Sequence, residues 1–280
     1  MPMSNWNWES AWPAPAKLNL FLHVVGRRPD GYHLLQTVFR FIDIADTLHF
    51  SPAAPGEVVL ETPIPGVPSE SDLTVHAARL LLEVTGVQKG VCIRLDKRLP
   101  MGGGLGGGSS DAATVLLALN HLWQTGLTRQ QLQVLGLRLG ADVPVFIHGR
   151  TSFAEGVGER FTDVTVPPAW YLVLVPPVAV PTAAIFGSSA LRRDTPLMAP
   201  QDWCDGVGHN DLEAVACALF PQVAEHLVWL RRFGDARMSG SGACCFARFN
   251  QPHEAAAALA ICPPGMTGFV AGGLDQHPLA

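Results

Sequence analysis

The chain has 280 residues, 48% hydrophobic and 15% charged, with a formal net charge of −5. That is the composition of a packed globular protein, long enough for one large or two ordinary domains, and it excludes a disordered chain. The acidic balance gives no reason to expect nucleic acid as a partner, and the longest apolar stretch, AWYLVLVPPVAVP, is too short and too broken by proline to span a membrane.

The six cysteines, Cys92, Cys204, Cys217, Cys244, Cys245 and Cys262, form no CxxC pair and have no interleaved histidines. No metal held by protein ligands is expected from them, and a reducing cytoplasm is. The first residues, MPMSNWNWES, lack the basic and apolar regions of a signal peptide. The tryptophans of NWNWESAW are expected on a surface arm.

In chain order, AKLNLFLHVV alternates strictly. Leu18, Leu20, Leu22 and Val24 share one face, and Lys17, Asn19, Phe21 and His23 the other, which predicts a half-buried strand. RPDG then has the residue order of a type I turn. DTLHF and EVVLET read as strands, LTVHAARLLLEV as a helix and VCIRLD as a strand. A glycine run follows, and a helix is predicted from near Ser109, with Ala112, Val115, Leu116, Leu119 and Leu122 on one stripe. A further helix opens at Thr128, where Gln131 completes a capping box, and closes at Gly140. Beyond the Pro- and Gly-rich residues 154–169 come a strand at WYLVLV, a helix at HNDLEAVACALF and a glycine-serine turn feeding a strand in RMSGSGACCFARF. This order predicts an α+β fold with mixed layers, in two domains facing a cleft.

The glycine run MGGGLGGGSSDAA poses the main question. Gly102, Gly104 and Gly107 satisfy the dinucleotide pattern G-x-G-x-x-G, but the acidic residue that pattern needs about twenty positions on is missing from LWQTGLTRQQLQ. No GxxxxGK[ST] and no protein-kinase motif set is present. What remains is a glycine loop entering a helix directly, where free N–H groups and the helix dipole suit a di- or triphosphate. Ser109 and Ser110 can cap that helix or donate to phosphate, and Lys97 and Arg98 can add positive charge.

PMGGGLGGGSSDAA resembles the nucleotide-binding motif of the GHMP kinase superfamily. PAKLNLFLHV and MSGSGACCF are similar to the family's N-terminal and C-terminal motifs, and the resemblance runs over nearly the whole chain beyond the first dozen residues. AKLNLFL, RPDGYHLLQTVF and LGADVPVF resemble the branch that acts on a cytidine diphosphate-linked methylerythritol.

The resemblance implies a ribosomal-protein-S5-like N-terminal domain with a left-handed crossover, residues 1–155, and an α/β sandwich C-terminal domain, residues 156–280. It implies transfer of the ATP γ-phosphate to the 2-hydroxyl of a small-molecule cytidine diphosphate substrate, with Mg²⁺ accompanying ATP. Asp142 and Lys17 match the catalytic pair: a base to take the hydroxyl proton, and a cation to keep that base ionised and stabilise developing charge. ATP falls to Lys97, Pro100, Met101, Gly102, Gly103, Gly104, Leu105, Gly106, Gly107, Gly108, Ser109 and Ser110. Substrate falls to Asn19, Tyr32, His33, Phe39, Thr182 and Phe186, with Tyr32 and Phe186 expected to sandwich the base and His33 to read its edge. Asp72 stands where the family places asparagine, which alters an expected contact near the nucleotide.

Overall fold

The structure, a computed structural model, describes residues 5–280. It opens with two long antiparallel strands, β1 (Trp12–Arg27) and β2 (His33–Ala53). They are joined by the predicted turn, in which Gly31 donates its N–H to the Arg28 carbonyl at 3.0 Å and holds φ at +93°, a value glycine adopts without strain. DTLHF is the far half of β2, whose 21 residues form the spine of the molecule. After β2 come β3 (Val58–Leu60), β4 (Gly90–Asp96), β5 (Ser152–Glu155), β6 (Arg160–Asp163), β7 (Trp170–Leu174), β8 (Ala236–Met238), β9 (Cys245–Phe249) and β10 (Gly268–Leu274). They make one ten-stranded sheet in the order β3-β4-β2-β10-β7-β9-β8, with β1 and β5 also on β2 and β6 on β5. The last strand in sequence, β10, joins the two halves of this sheet: Gly273 and Leu274 pair with Ile42 and Phe41, and residues 268–272 pair with β7.

Helix α1 (Leu73–Thr85) links β3 to the parallel β4. It packs with α2 (Gly107–Leu122), α3 (Arg129–Leu139) and α4 (Val143–His148) over a core that includes Phe41, Leu48, Ile93, Leu116 and Phe146. The short α5 (Thr182–Gly187) precedes α6 (Glu213–Leu219), α7 (Pro221–Leu230) and α8 (Pro252–Ala260). These last three lie over β7 to β10 around Leu172, Leu174, Leu227 and Met238. A third cluster, with Leu18, Phe21, Ile42, Phe153, Tyr171 and Phe246, ties strands of both halves together. Truncating one such buried aromatic to alanine costs about 3–5 kcal/mol, so the seam is a core in its own right.

Three expectations are corrected. First, β1 is buried on both faces from Ala14 to Val24, not half-buried. A register shift between Asn19 and Leu22 breaks the alternation and puts Leu20 and Phe21 into the same cluster, while the polar face closes a cleft. Second, the tryptophan-rich start is not a surface arm among the described residues: Trp12 is fully buried, and Trp6 and Trp8 pack on the first core. Third, α2 begins at Gly107, two residues before the predicted start at Ser109; Asp142 is the N-cap of the short helix α4.

Candidate active site

The N-terminus of α2 opens on a cavity of about 960 Å³ between the glycine run, β1, the start of β2 and α5. The N-cap residue is Gly106, at φ +74°, and no side chain caps the first turn. Ser109 and Ser110 lie inside the helix, so neither competes for the terminal N–H groups. These donors stay available to an anion, reinforced by the helix dipole. A side chain at Gly106 has no room: its Cβ would stand 2.9 Å from the Phe146 ring and 3.1 Å from Lys17 Cε.

The glycine run is anchored from the far half of the molecule. Ser239 Oγ donates to the Gly104 carbonyl at 2.9 Å, and the Cys244 N–H donates to the Gly103 carbonyl at 3.0 Å. Cys244 and its neighbour Cys245 are buried, and burial pushes the Cys244 thiol up to about 12, which leaves it an inert packing group.

Lys17 sits at the cavity floor with its side chain 2% exposed. Its Nζ donates to Asn19 Oδ1 at 2.5 Å and to the Gly104 carbonyl at 2.9 Å, and lies 3.3 Å from Asp142 Oδ2. The ammonium also stands 5.5 Å over the ring of Phe39, which is buried beneath it. Asn19 is oriented in turn, its amide donating to Thr37 Oγ1 at 2.9 Å. Asp142 has φ −86° and ψ −12°, makes no capping bond to its own helix, and keeps its side chain 37% exposed. A turn aspartate would bond its own backbone; this one faces Lys17 and open space.

Lys97 lines the cavity but does not supply a free cation. Its Nζ bonds Asp46 Oδ2 at 2.5 Å and Asp111 Oδ2 at 2.7 Å, while Asp46 Oδ1 accepts the N–H groups of Arg98 and Leu99 at 2.5 and 2.7 Å. Burial opposes the Lys97 ammonium, yet Asp111 and Asp46 outweigh it and hold its pKa above the usual lysine range. Burial likewise pushes Asp111 up to about 7, against the pull of Lys97. The cluster therefore braces the start of α2 against the end of β4, and its charge is spent internally.

At the opposite end, Tyr32 stands exposed on the rim, and His33 and Phe186 meet ring to ring at 4.9 Å with a 37° tilt. His33 Nε2 accepts a hydrogen bond from Arg193 Nε at 3.1 Å. Burial, then the cations of Arg193 and Arg27, hold the His33 pKa below the ordinary histidine value. Thr182 Oγ1, at the head of α5, is 2.8 Å from Ser241 Oγ. Asp72 caps α1, accepting from the Thr74 N–H at 2.8 Å and its hydroxyl at 2.5 Å. Aspartate and asparagine serve that cap equally well, which is a structural use for the departure at this position.

Most of the residues singled out in the sequence share this one cavity: Lys17, Asn19, Tyr32, His33, Phe39, Lys97, Pro100, Met101, Gly102, Gly103, Gly104, Gly106, Gly107, Gly108, Ser109, Asp142, Thr182 and Phe186. Two do not line it. Leu105 is 1% exposed in the seam core, its carbonyl accepting the Lys17 N–H, and Ser110 is buried with its hydroxyl donating to the Pro15 carbonyl at 2.7 Å. Their side chains pin the loop from outside the cavity lining. The reading missed Asp46 and Arg193, whose roles depend on partners far away in sequence, and Asp111, Ser239 and Ser241, which the quoted MGGGLGGGSSDAA and MSGSGACCF already contained.

Sequence comparison bears directly on this geometry. The model of the GHMP kinases N terminal domain matches residues 72–150, and that of the GHMP kinases C terminal matches residues 197–263. A 4-diphosphocytidyl-2-C-methyl-D-erythritol kinase of Dechloromonas aromatica is 68% identical over 96% of this chain and 98% of its own length. The chain belongs to the GHMP kinase family. A kinase of the same name from Thiobacillus denitrificans is 62% identical, covering 96% of this chain and 97% of its own. The crystal structure of a 4-(cytidine 5'-diphospho)-2C-methyl-D-erythritol kinase superposes with a TM-score of 0.82 at 37% identity, covering 94% of this chain and 99% of that one. The two-domain GHMP kinase fold expected from the sequence is the fold observed. The glycine loop, the lysine strand and the second glycine turn converge at Gly104, Lys17 and Ser239.

Proposed function

We propose that this GHMP kinase transfers the γ-phosphate of ATP to the 2-hydroxyl of 4-diphosphocytidyl-2-C-methyl-D-erythritol. The observation that carries the reading is the Lys17–Asp142 pair at 3.3 Å, set between an uncapped helix N-terminus and an aromatic recess holding a histidine. The α2 N–H groups and Gly102–Gly108 backbone bind the triphosphate, and the acceptor's base lies at Tyr32, His33 and Phe186. Asp142 takes the proton from the attacking hydroxyl, and Lys17 holds the carboxylate ionised and stabilises charge on the transferred group. Asn19 orients the Lys17 ammonium, and Thr182 and Ser241 offer hydroxyls near the acceptor.

Among the described residues no group of three or more His, Cys, Asp and Glu is arranged to hold a metal. The donor set, a partly exposed Asp142 and the Ser109 hydroxyl beside a phosphate-binding helix end, fits a Mg²⁺ that arrives on the nucleotide and takes few protein ligands. Bound there, the ion would neutralise phosphate charge.

We divide the chain at residues 155 and 156, a line that crosses the β5–β6 hairpin. A cytoplasmic location is also proposed, on its six free thiols; among the described residues no helix is long and apolar enough to cross a membrane.

The test is ATP consumption measured against the cytidine diphosphate substrate, mevalonate and homoserine in parallel. Turnover is expected with the first alone. Turnover of mevalonate or homoserine in its place overturns the substrate, and binding of the cytidine compound without turnover favours a ligand sensor.

A further inference from the structure

His33 faces the cavity with one ring nitrogen already engaged. Its Nε2 lies 3.1 Å from Arg193 Nε. A guanidinium carries only donors and does not deprotonate in proteins, so the nitrogen opposite it must present a lone pair. Arg193 is not free to turn away. Its Nη1 donates to the Leu191 carbonyl at 2.9 Å, and Nη2 donates to the carbonyls of Phe186 and Ser188 at 2.9 and 2.7 Å. Three backbone acceptors thus fix the fork, and the Nε–H is aimed at the imidazole.

We propose that Arg193 is a positioning residue that locks His33 in the Nδ1–H tautomer and thereby sets the base preference of the cavity. The inference rests on the cytidine reading above and deepens it. With Nε2 occupied, the ring offers the cavity a single N–H donor at Nδ1, which has no hydrogen-bond partner among the described residues. A lone donor suits the N3 or O2 acceptors of cytosine and cannot accept from its N4 amine. At N3 the donor discriminates, because uracil carries a hydrogen there and two donors would face each other. The same Arg193 contacts reach the Phe186 backbone, so one side chain couples the reader of the base edge to the ring packed beside it.

The tautomer is read by two-bond ¹H–¹⁵N correlation on histidine-labelled protein, with the His33 signals assigned by their loss in His33→Ala. The wild type is expected to show His33 neutral with the proton on Nδ1. Arg193→Met is expected to shift it towards the Nε2–H form that an unconstrained imidazole prefers. In parallel, the ratio of kcat/KM for the cytidine diphosphate substrate over its uridine analogue is expected to fall about tenfold in Arg193→Met, mostly through KM. A purely structural arginine would raise both KM values together and leave the ratio unchanged; that result, or a wild-type His33 protonated on Nε2, overturns the proposal. If Arg193→Met does not fold, the wild-type spectrum decides alone. A wild type that turns over neither substrate sinks the kinase reading, and the tautomer measurement still stands on its own.

Discussion

Lys17 Nζ lies 3.3 Å from Asp142 Oδ2, yet the two residues are 125 positions apart and differ sharply in exposure, 2% against 37% for their side chains. The cation is entombed and held by Asn19 and Gly104, whereas the carboxylate is reachable. A buried, pre-oriented charge beside an accessible base is the arrangement that stabilises a transition state without reorganising at the moment of reaction.

Replacing Asp142 by asparagine keeps the shape and removes the proposed base. We expect kcat to fall by about 10²–10⁴-fold with little change in KM for either substrate. Steady-state kinetics checks this; a near-wild-type kcat would place the base elsewhere.

Lys17→Met is expected to lower kcat/KM by about 10²–10³-fold, the scale of losing one stabilising donor. It also strands the buried Asn19 amide oxygen, at a cost of about 1–3 kcal/mol, while the Gly104 carbonyl keeps its bond from Ser239 Oγ. Urea unfolding should therefore register the substitution as well as the assay. A fully active, equally stable variant would contradict both roles.

Two glycines separate strain from ligand contact. Gly106→Ala forces a side chain into φ +74° and against Phe146 and Lys17, so Tm should drop and activity with it. Gly108 lies within α2, and its Cβ would meet only Leu73 at an ordinary 3.6 Å. Gly108→Ala should raise stability by about 0.5–1 kcal/mol while weakening ATP. Unchanged ATP affinity in both folded variants, by titration calorimetry, would move the phosphate site.

His277 supplies a pH dependence. Burial, then the nearby Arg129 cation, pushes its pKa down to about 3, and Nδ1 accepts the Leu279 N–H at 3.0 Å. Between the ordinary value near 6.5 and about 3 the unfolded chain binds a proton that the folded one refuses, so stability rises with pH and is lost on acidification. From about pH 6.5 to 5 the loss attributable to this group is about 2 kcal/mol. His277→Asn keeps an acceptor for Leu279 and should flatten the pH profile of the urea midpoint; an unaltered profile would assign the acid sensitivity to other groups.

The glycine loop, the turn before Tyr32 and the capping box at Thr128 were legible because each is built from neighbours in sequence. The Lys17–Asn19 pairing on one strand face was legible for the same reason. The double burial of β1 was not, since it depends on a bulge and on packing from the far half. Nor was the use of Lys97: a lysine beside a phosphate loop reads as a free cation until Asp46 and Asp111 are seen on either side of it. Arg193 was hidden similarly, its partner His33 lying 160 residues earlier.

The place of β10 governs how the molecule comes into being. Its slot lies between β2 and β7, in the middle of the sheet, and no segment before residue 268 occupies it. A ribosome that has made β1 to β9 holds two part-sheets with facing unpaired edges, and Lys17 already made but its surroundings unfinished. Such edges invite pairing with other chains, and contacts of this sequence separation close slowly. The Lys17–Asp142 pair, proposed as catalytic, is thus assembled from early residues whose frame is closed by a late strand.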